Sequence, residues 1–127
     1  MAQYLLDTTT IIDHLRGDKK VSFYLEEIGT RGDIVGCCCI NITETYSGMK
    51  DKEKEKTDKF IESLYYFPVT KEIAKLAGKL KQKYGKKGMT LATSDVIIAA
   101  AAIAYGLILI TKNKKHYPFP ELEIKEI

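Results

Sequence analysis

The chain has 127 residues, of which 45% are hydrophobic and 29% charged, with a formal net charge of +3. This length supports one core and leaves little room for a second, so we expect a single domain over residues 1–127. The longest apolar stretch, residues 96–105, is far below the roughly 20 residues of a membrane-spanning helix. Without a signal peptide at the start, we expect a cytoplasmic protein with no membrane partner.

Short apolar runs alternate with segments of helical period, which is typical of a parallel sheet flanked by helices. The first strand is predicted over residues 3–7, and one of the threonines at 8–10 is expected to cap the helix that follows. A second helix is predicted over residues 19–28. A buried strand over residues 34–40 comes next, because that run is continuous in apolar and small residues.

A further helix is predicted from about Asn41, and the charged segment 51–64 is expected to continue as helix. Residues 65–69 favour a short strand. Residues 71–84 show a clear 3.6-residue repeat of apolar positions, which predicts an amphipathic helix.

A helix that is apolar on all sides follows, with Thr93 or Ser94 expected to cap it and Gly106 to end it. Residues 107–111 form the next predicted core strand, and the alternating segment 122–127 is typical of an edge strand. The predicted class is therefore α/β, with a central, mostly parallel sheet.

The three cysteines are consecutive, at Cys37, Cys38 and Cys39. Adjacent residues on a strand point to opposite faces, so they cannot form a metal cage of the usual spacing. We expect them to be small buried residues rather than ligands or a disulfide framework.

Three acidic residues lie at boundaries between the predicted elements. Asp7 ends the first strand, Glu44 lies one turn into the helix after the second, and Asp95 begins the apolar helix. In an open α/β sheet, ligand sites form at the carboxyl ends of neighbouring strands. Each acid alone has an ordinary structural explanation, but three carboxylates in one cleft either raise their pKa values or bind a cation.

Hard ions such as Mg²⁺ and Mn²⁺ match these oxygen ligands, and no His/Cys set is present to favour zinc. A metal held by carboxylates suits phosphoryl chemistry, while the absence of a glycine-rich phosphate loop argues against nucleoside triphosphate hydrolysis. Lys112, Lys114 and Lys115 follow the strand that ends at Thr111. They make a phosphodiester backbone the natural substrate.

Four segments in chain order resemble the motifs of the PIN-domain ribonucleases, in particular the VapC-type toxins of toxin–antitoxin pairs. They are residues 5–9, 42–48, 94–100 and 109–113. The resemblance implies a three-layer α/β/α PIN fold and a Mg²⁺- or Mn²⁺-dependent endoribonuclease that cuts RNA. It also implies a homodimer and a cognate antitoxin whose C-terminal segment blocks the active groove.

Carried over residue by residue, the resemblance makes Asp7, Glu44 and Asp95 the metal-binding acids and Asn113 the fourth catalytic position. The candidate substrate-binding residues are Thr8, Thr111, Lys112, Lys114 and Lys115. The chain departs from the family pattern at Asn113, which supplies no charge, so a second metal should bind more weakly than in a four-acid site.

His116 stands where many members carry another aspartate, and a lone histidine is more often a surface or hydrogen-bonding residue than a ligand. His14 is a weaker candidate still. Two other functions stay open: a catalytically silent RNA-binding module of the same fold, and a regulatory domain with Asp7 as phosphate acceptor. Residues 65–67 are candidate dimer contacts, although core packing explains these aromatic residues better.

Overall fold

The structure, a computed structural model, describes all of residues 1–127. The chain forms five strands and six helices, with single turns of 3₁₀ helix at Asp51–Glu53 and Lys114–His116. In order they are β1 (Gln3–Leu6), α1 (Thr8–Leu15), α2 (Lys19–Thr30), β2 (Ile34–Cys37), α3 (Cys39–Ser47), α4 (Lys54–Ser63), β3 (Tyr65–Tyr66), α5 (Lys71–Lys86), α6 (Thr93–Tyr105), β4 (Ile108–Thr111) and β5 (Glu123–Glu126).

The strands form one sheet in the order β3-β2-β1-β4-β5, and every neighbouring pair is parallel. The predicted α/β class with a mostly parallel sheet is confirmed, and the sheet is parallel throughout. Strand order reverses at β1, which has β2 on one side and β4 on the other. This reversal is the point at which open α/β sheets bind ligands.

Alternating side chains of the strands divide the core into two layers. Leu5 and Leu109 pack with α5 and α6 on one face, whereas Leu6 and Ile110 pack with α1, α2 and α4 on the other. Strand residues alternate between faces, so both faces of β1 and β4 are covered by helices. The α/β/α layering expected from the family resemblance is therefore present.

The predicted strand over residues 34–40 is too long. Strand β2 ends at Cys37, and α3 begins at Cys39 because the backbone N–H of Cys38 donates to Asn41 Oδ1 at 2.8 Å. An apolar run cannot show where a strand changes to a helix. Cys37 and Cys38 are buried as predicted, whereas Cys39 is only partly covered.

Two predicted helix caps are wrong. Asp7, rather than a threonine at 8–10, caps α1, since its side chain accepts a hydrogen bond from the backbone N–H of Thr10. Helix α6 starts at Thr93, one or two residues earlier than a cap at Thr93 or Ser94 predicts, and Ala92 before it provides no side-chain cap. Gly106 ends α6 in the left-handed conformation (φ +67°), as the sequence predicted.

The aromatic residues near β3 do not all pack in the core. Tyr65 and Tyr66 are exposed, whereas Phe67 is buried. Core packing was therefore the wrong explanation for the two tyrosines. Phe67 lies against Gly36, where an added Cβ would come within 2.3 Å of the ring, so this position in β2 has no room for a side chain.

None of the six helices is both long and apolar enough to span a membrane.

Candidate active site

Asp7 lies at the carboxyl end of β1 and is almost fully buried, with 3% of its surface exposed. Its Oδ1 accepts hydrogen bonds from the backbone N–H and the hydroxyl of Thr10, both at 2.9 Å. Its Oδ2 accepts from the hydroxyl of Thr111 at the end of β4. A buried carboxylate needs such donors, and these two threonines fix both of its oxygens.

Glu44 faces the end of β1 from α3 and is held by a chain of side-chain hydrogen bonds. Thr8 Oγ1 donates to Glu44 Oε1 at 2.6 Å. Asn41 Nδ2 donates to Thr8 Oγ1 at 3.2 Å and to the carbonyl of Leu6 at 3.0 Å. A hydroxyl can donate only one hydrogen bond. Because Thr8 Oγ1 accepts from the amide of Asn41, its own proton is free to point at Glu44.

Asp95 lies in the first turn of α6, where the helix dipole favours a negative charge. Burial raises the pKa of its carboxyl, and the negative charges of Glu44 and Asp7 raise it further, against the opposing effects of His116 and of a hydrogen bond from Tyr117. That bond runs from the Tyr117 hydroxyl to Asp95 Oδ1 at 3.4 Å. A nearby cation would therefore favour the charged form of Asp95.

The three acids and Asn113 line one open cleft of about 480 Å³ at the carboxyl ends of β1 and β4. His116 and Tyr117 also line it, and the residues that complete it are Thr8, Thr9, Ile12, Ser47 and Ile98. The structure therefore brings together the four positions predicted to be catalytic. It adds His116, which the sequence left as a weak candidate.

No three His, Cys, Asp or Glu side chains stand close enough to form a ready-made metal cage. The donor set nevertheless fits a hard divalent cation, because the cleft presents carboxylate and amide oxygens and no thiol. Mg²⁺ commonly takes one or two protein carboxylates and completes its shell with water and substrate phosphate. The hydrogen bonds that Asp7 already accepts do not prevent metal coordination, since each carboxylate oxygen has two lone pairs.

The structure places only some of the predicted substrate-binding residues where they could contact a substrate. Thr8 lines the cleft, whereas Thr111 is fully buried and supports Asp7 instead. The ammonium of Lys112 forms ion pairs with Asp13 at 2.7 Å and Asp18 at 3.1 Å. Two acids therefore balance the charge of Lys112, which leaves it less available for the predicted contact with substrate.

Lys114 and Lys115 are exposed in the 3₁₀ turn after Asn113, and neither forms an ion pair. They stay the better candidates for phosphate contact. His14 is hydrogen-bonded to Ser22 and packed on the ring of Phe60. It does not line the cleft.

Sequence reasoning missed the residues that hold the acids, namely Thr10, Asn41 and Tyr117. Asn41 carried the clearest signal, because it is a polar residue directly after the apolar run of residues 34–40. The structure buries it fully. Tyr117 directly follows His116 in the sequence and carries no comparable signal. Nothing in the spacing shows that its hydroxyl reaches α6.

Comparison with known proteins agrees with this fold and identifies the family. The model of the PIN domain family matches residues 4–122, and the chain belongs to the PIN domain family. Among similar proteins, Ribonuclease VapC19 of Mycobacterium tuberculosis is 31% identical over 120 residues, covering 94% of this chain and 96% of that protein. Ribonuclease VapC1 of Methanocaldococcus jannaschii is 28% identical over 117 residues, covering 91% and 79%.

Solved structures share the fold. The crystal structure of VapBC2 from Rickettsia felis bound to a DNA fragment from their promoter has a TM-score of 0.86 to this chain, at 21% identity and 98% coverage of both chains. A toxin–antitoxin complex from Klebsiella pneumoniae has a TM-score of 0.78 at 25% identity, covering 98% of this chain and 99% of that one. Both are similar over nearly their whole length.

Two buried threonines on helices allow a test of how firmly Asp7 is held. The hydroxyl of Thr10 donates to Asp7, whereas that of Thr45 is buried without a partner. We expect Thr10→Val to lower the free energy of unfolding by about 1.5–3 kcal/mol, the usual worth of a hydrogen bond to a charged group. Thr45→Val should leave it unchanged or raise it by about 1 kcal/mol, because an unsatisfied buried hydroxyl is removed.

The free energies of unfolding of both variants are measured by urea denaturation and compared with the wild type, provided that the m-values are equal. The same substitution is made on a helix in both cases, so the loss of a hydroxyl is matched. Equal destabilisation by the two changes would show that the Thr10–Asp7 contact contributes nothing particular.

Proposed function

We propose that this chain is a metal-dependent endoribonuclease of the VapC type, which hydrolyses phosphodiester bonds of RNA. The observation that carries the proposal is the cleft lined by Asp7, Glu44, Asp95 and Asn113. Membership of the PIN domain family and the ribonuclease relatives support the same activity.

Asp7, Glu44 and Asp95 would hold a Mg²⁺ or Mn²⁺ ion. When bound, such an ion activates water and offsets charge on the phosphate. The carboxylates are oriented before substrate arrives: the threonine hydroxyls fix Asp7, Thr8 fixes Glu44, and Tyr117 contacts Asp95. This preorganisation avoids rearranging charged groups during the reaction.

Asn113 would take part through its neutral amide, which can orient water or a phosphate oxygen without adding charge. A second metal would therefore bind more weakly than in a site with four acids. Lys114 and Lys115 would contact phosphates next to the cut site, where a basic group stabilises the backbone whatever its base sequence.

The activity is tested with purified chain and single-stranded RNA. We expect cleavage with Mg²⁺ or Mn²⁺, none in a chelator, and a drop of roughly 10²-fold or more in Asp7→Asn and Asp95→Asn, as for other groups acting on transition-state charge. Asp51→Asn is the matched control, because Asp51 is exposed and outside the cleft. It should cleave like the wild type.

Metal binding has a readout of its own. Mn²⁺ should raise the melting temperature of the wild type, since a ligand that binds only the folded state stabilises it. The increase should be much smaller for Asp95→Asn. In chelator this variant should be at least as stable as the wild type, because burial that raises the pKa of Asp95 penalises its charged form. Cleavage that persists in well-folded Asp7→Asn and Asp95→Asn would reject the site.

A catalytically silent RNA-binding module is the second candidate, favoured by the neutral Asn113 and the exposed lysines. It predicts salt-sensitive RNA binding without turnover, so the cleavage assay separates the two. A phosphate-accepting domain is less favoured. Both oxygens of Asp7 accept hydrogen bonds and the side chain is buried, which makes it a poor nucleophile.

A cognate antitoxin is the proposed protein partner, because the chain is similar to proteins solved as VapBC and other toxin–antitoxin complexes. Its C-terminal segment would cover the cleft. Adding the product of the reading frame immediately upstream should abolish RNA cleavage at an equimolar ratio. Full cleavage with that protein in excess, despite its binding to the chain, would contradict a blocked cleft.

A homodimer is also proposed, and Tyr65 and Tyr66 at the edge of the sheet are the candidate contacts because both are exposed. Sedimentation should give twice the 14.3 kDa mass of one chain. Tyr65→Lys with Tyr66→Lys should give single chains. A wild type that sediments as a single chain at all concentrations would reject the dimer.

A further inference from the structure

Helix α5 carries a strongly positive exposed surface. Six lysines and one glutamate lie between Lys71 and Lys86, and Lys87 follows directly. Five of the lysines are spaced four residues apart. We name them the lysine row, and they are Lys71, Lys75, Lys79, Lys83 and Lys87.

The lysine row is exposed and almost free of carboxylate partners. Its one ion pair joins Lys75 to Glu72 at 3.7 Å between two exposed side chains, and such pairs contribute little. Helix α4 differs, because Lys54 pairs with Asp58 and Lys59 with Glu55. Of the two lysine-rich helices, only α5 leaves its positive charge uncompensated.

Two contacts join the C-terminal half of α5 to the segments that carry the cleft residues Asp95 and Tyr117. The ammonium of Lys81 donates to the hydroxyl of Thr93, two residues before Asp95. The ring of Tyr84 packs edge-to-face on Phe119 at 5.1 Å, and Phe119 follows closely on the cleft residue Tyr117. The ammonium groups of Lys83 and Lys87 lie 5.8 and 5.1 Å from the centre of the Tyr84 ring. This end of the row is therefore next to the segment that carries Tyr117, and the rest leads away from it.

We propose that the lysine row binds the phosphate backbone of RNA outside the cut site and guides it to the cleft. This inference rests on the proposed ribonuclease function and names a surface beyond the catalytic residues. The row rises about 6 Å per lysine and about 24 Å in all, so it suits an extended chain with regularly repeated negative charge. Binding of this kind is independent of base sequence.

The test compares two triple variants with the same loss of charge. The row variant is Lys75→Gln, Lys79→Gln, Lys83→Gln, and the control is Lys54→Gln, Lys56→Gln, Lys59→Gln on α4, which packs on the opposite face of the sheet. A fluorescein-labelled single-stranded RNA longer than the row is the probe. Binding is measured in chelator at several salt concentrations, so that it does not depend on cleavage.

The row variant should bind RNA about ten- to fiftyfold more weakly, and its salt exponent should fall by about 2, given about 0.7 per phosphate on a single strand. The control should stay within about threefold of the wild type, because its lysines lie on the opposite face of the sheet. Since both variants have the same net charge, any difference between them comes from where the lysines lie. With metal, the row variant should also lose kcat/KM on the long RNA while keeping it on a trinucleotide that reaches only the cleft.

Wild-type RNA affinity in the row variant would overturn the proposal, and so would equal weakening of both variants, which would indicate a general field effect. Poly-L-glutamate serves as a second probe. If the row variant lost binding to this acidic polypeptide but not to RNA, the surface would belong to an acidic protein partner and the proposal would be wrong. Salt-dependent binding through the row in a chain that never cleaves RNA would reject the nuclease function alone.

Discussion

The burial of Asp7 is the constraint on which the rest of the site depends. Burying the oxygens of a carboxylate without hydrogen-bond donors is costly, and only 3% of the surface of Asp7 is exposed. Its donors are Thr10 on α1 and Thr111 at the end of β4. The hydrogen bonds that satisfy Asp7 therefore also join β1, α1 and β4 at the floor of the cleft.

The second acid depends on this arrangement. Thr8 follows Asp7 directly, so the start of α1 that Asp7 caps also sets the position of the hydroxyl that binds Glu44. Asn41 then links Thr8 to the carbonyl of Leu6 and also caps the start of α3. The buried amide of Asn41 thus fixes the beginning of the helix that carries Glu44. It also orients the Thr8 hydroxyl that donates a hydrogen bond to Glu44.

Much of this architecture could be predicted from the sequence, because it follows from periodicity. The alternation of apolar runs and helical repeats gave the parallel sheet, and the acids at element boundaries pointed to one edge of it. The exact boundaries could not be predicted. The run at residues 34–40 is equally apolar in strand and helix, and the side chain of Asn41, rather than any change in hydropathy, ends β2 there.

The supporting residues of the site were out of reach for a different reason. Tyr117 contacts Asp95 only because the segment after β4 returns across the start of α6. Lys112 was expected to meet phosphate, yet its partners Asp13 and Asp18 lie about a hundred residues earlier in the chain. Side-chain partners at such separation depend on how the elements pack, and a single sequence shows spacing along the chain only.

The charges of the chain oppose one another in a way that defines how RNA could be handled. Three carboxylates in the cleft repel a phosphate, and burial of Asp95 makes the repulsion harder to screen. The positive charge of the protein lies elsewhere, on α5 and on the turn after Asn113. Under the proposed function, attraction of the RNA and the chemistry on it would be carried by different groups. A cation that compensates the three acids would also admit the phosphate, so substrate entry would depend on the metal.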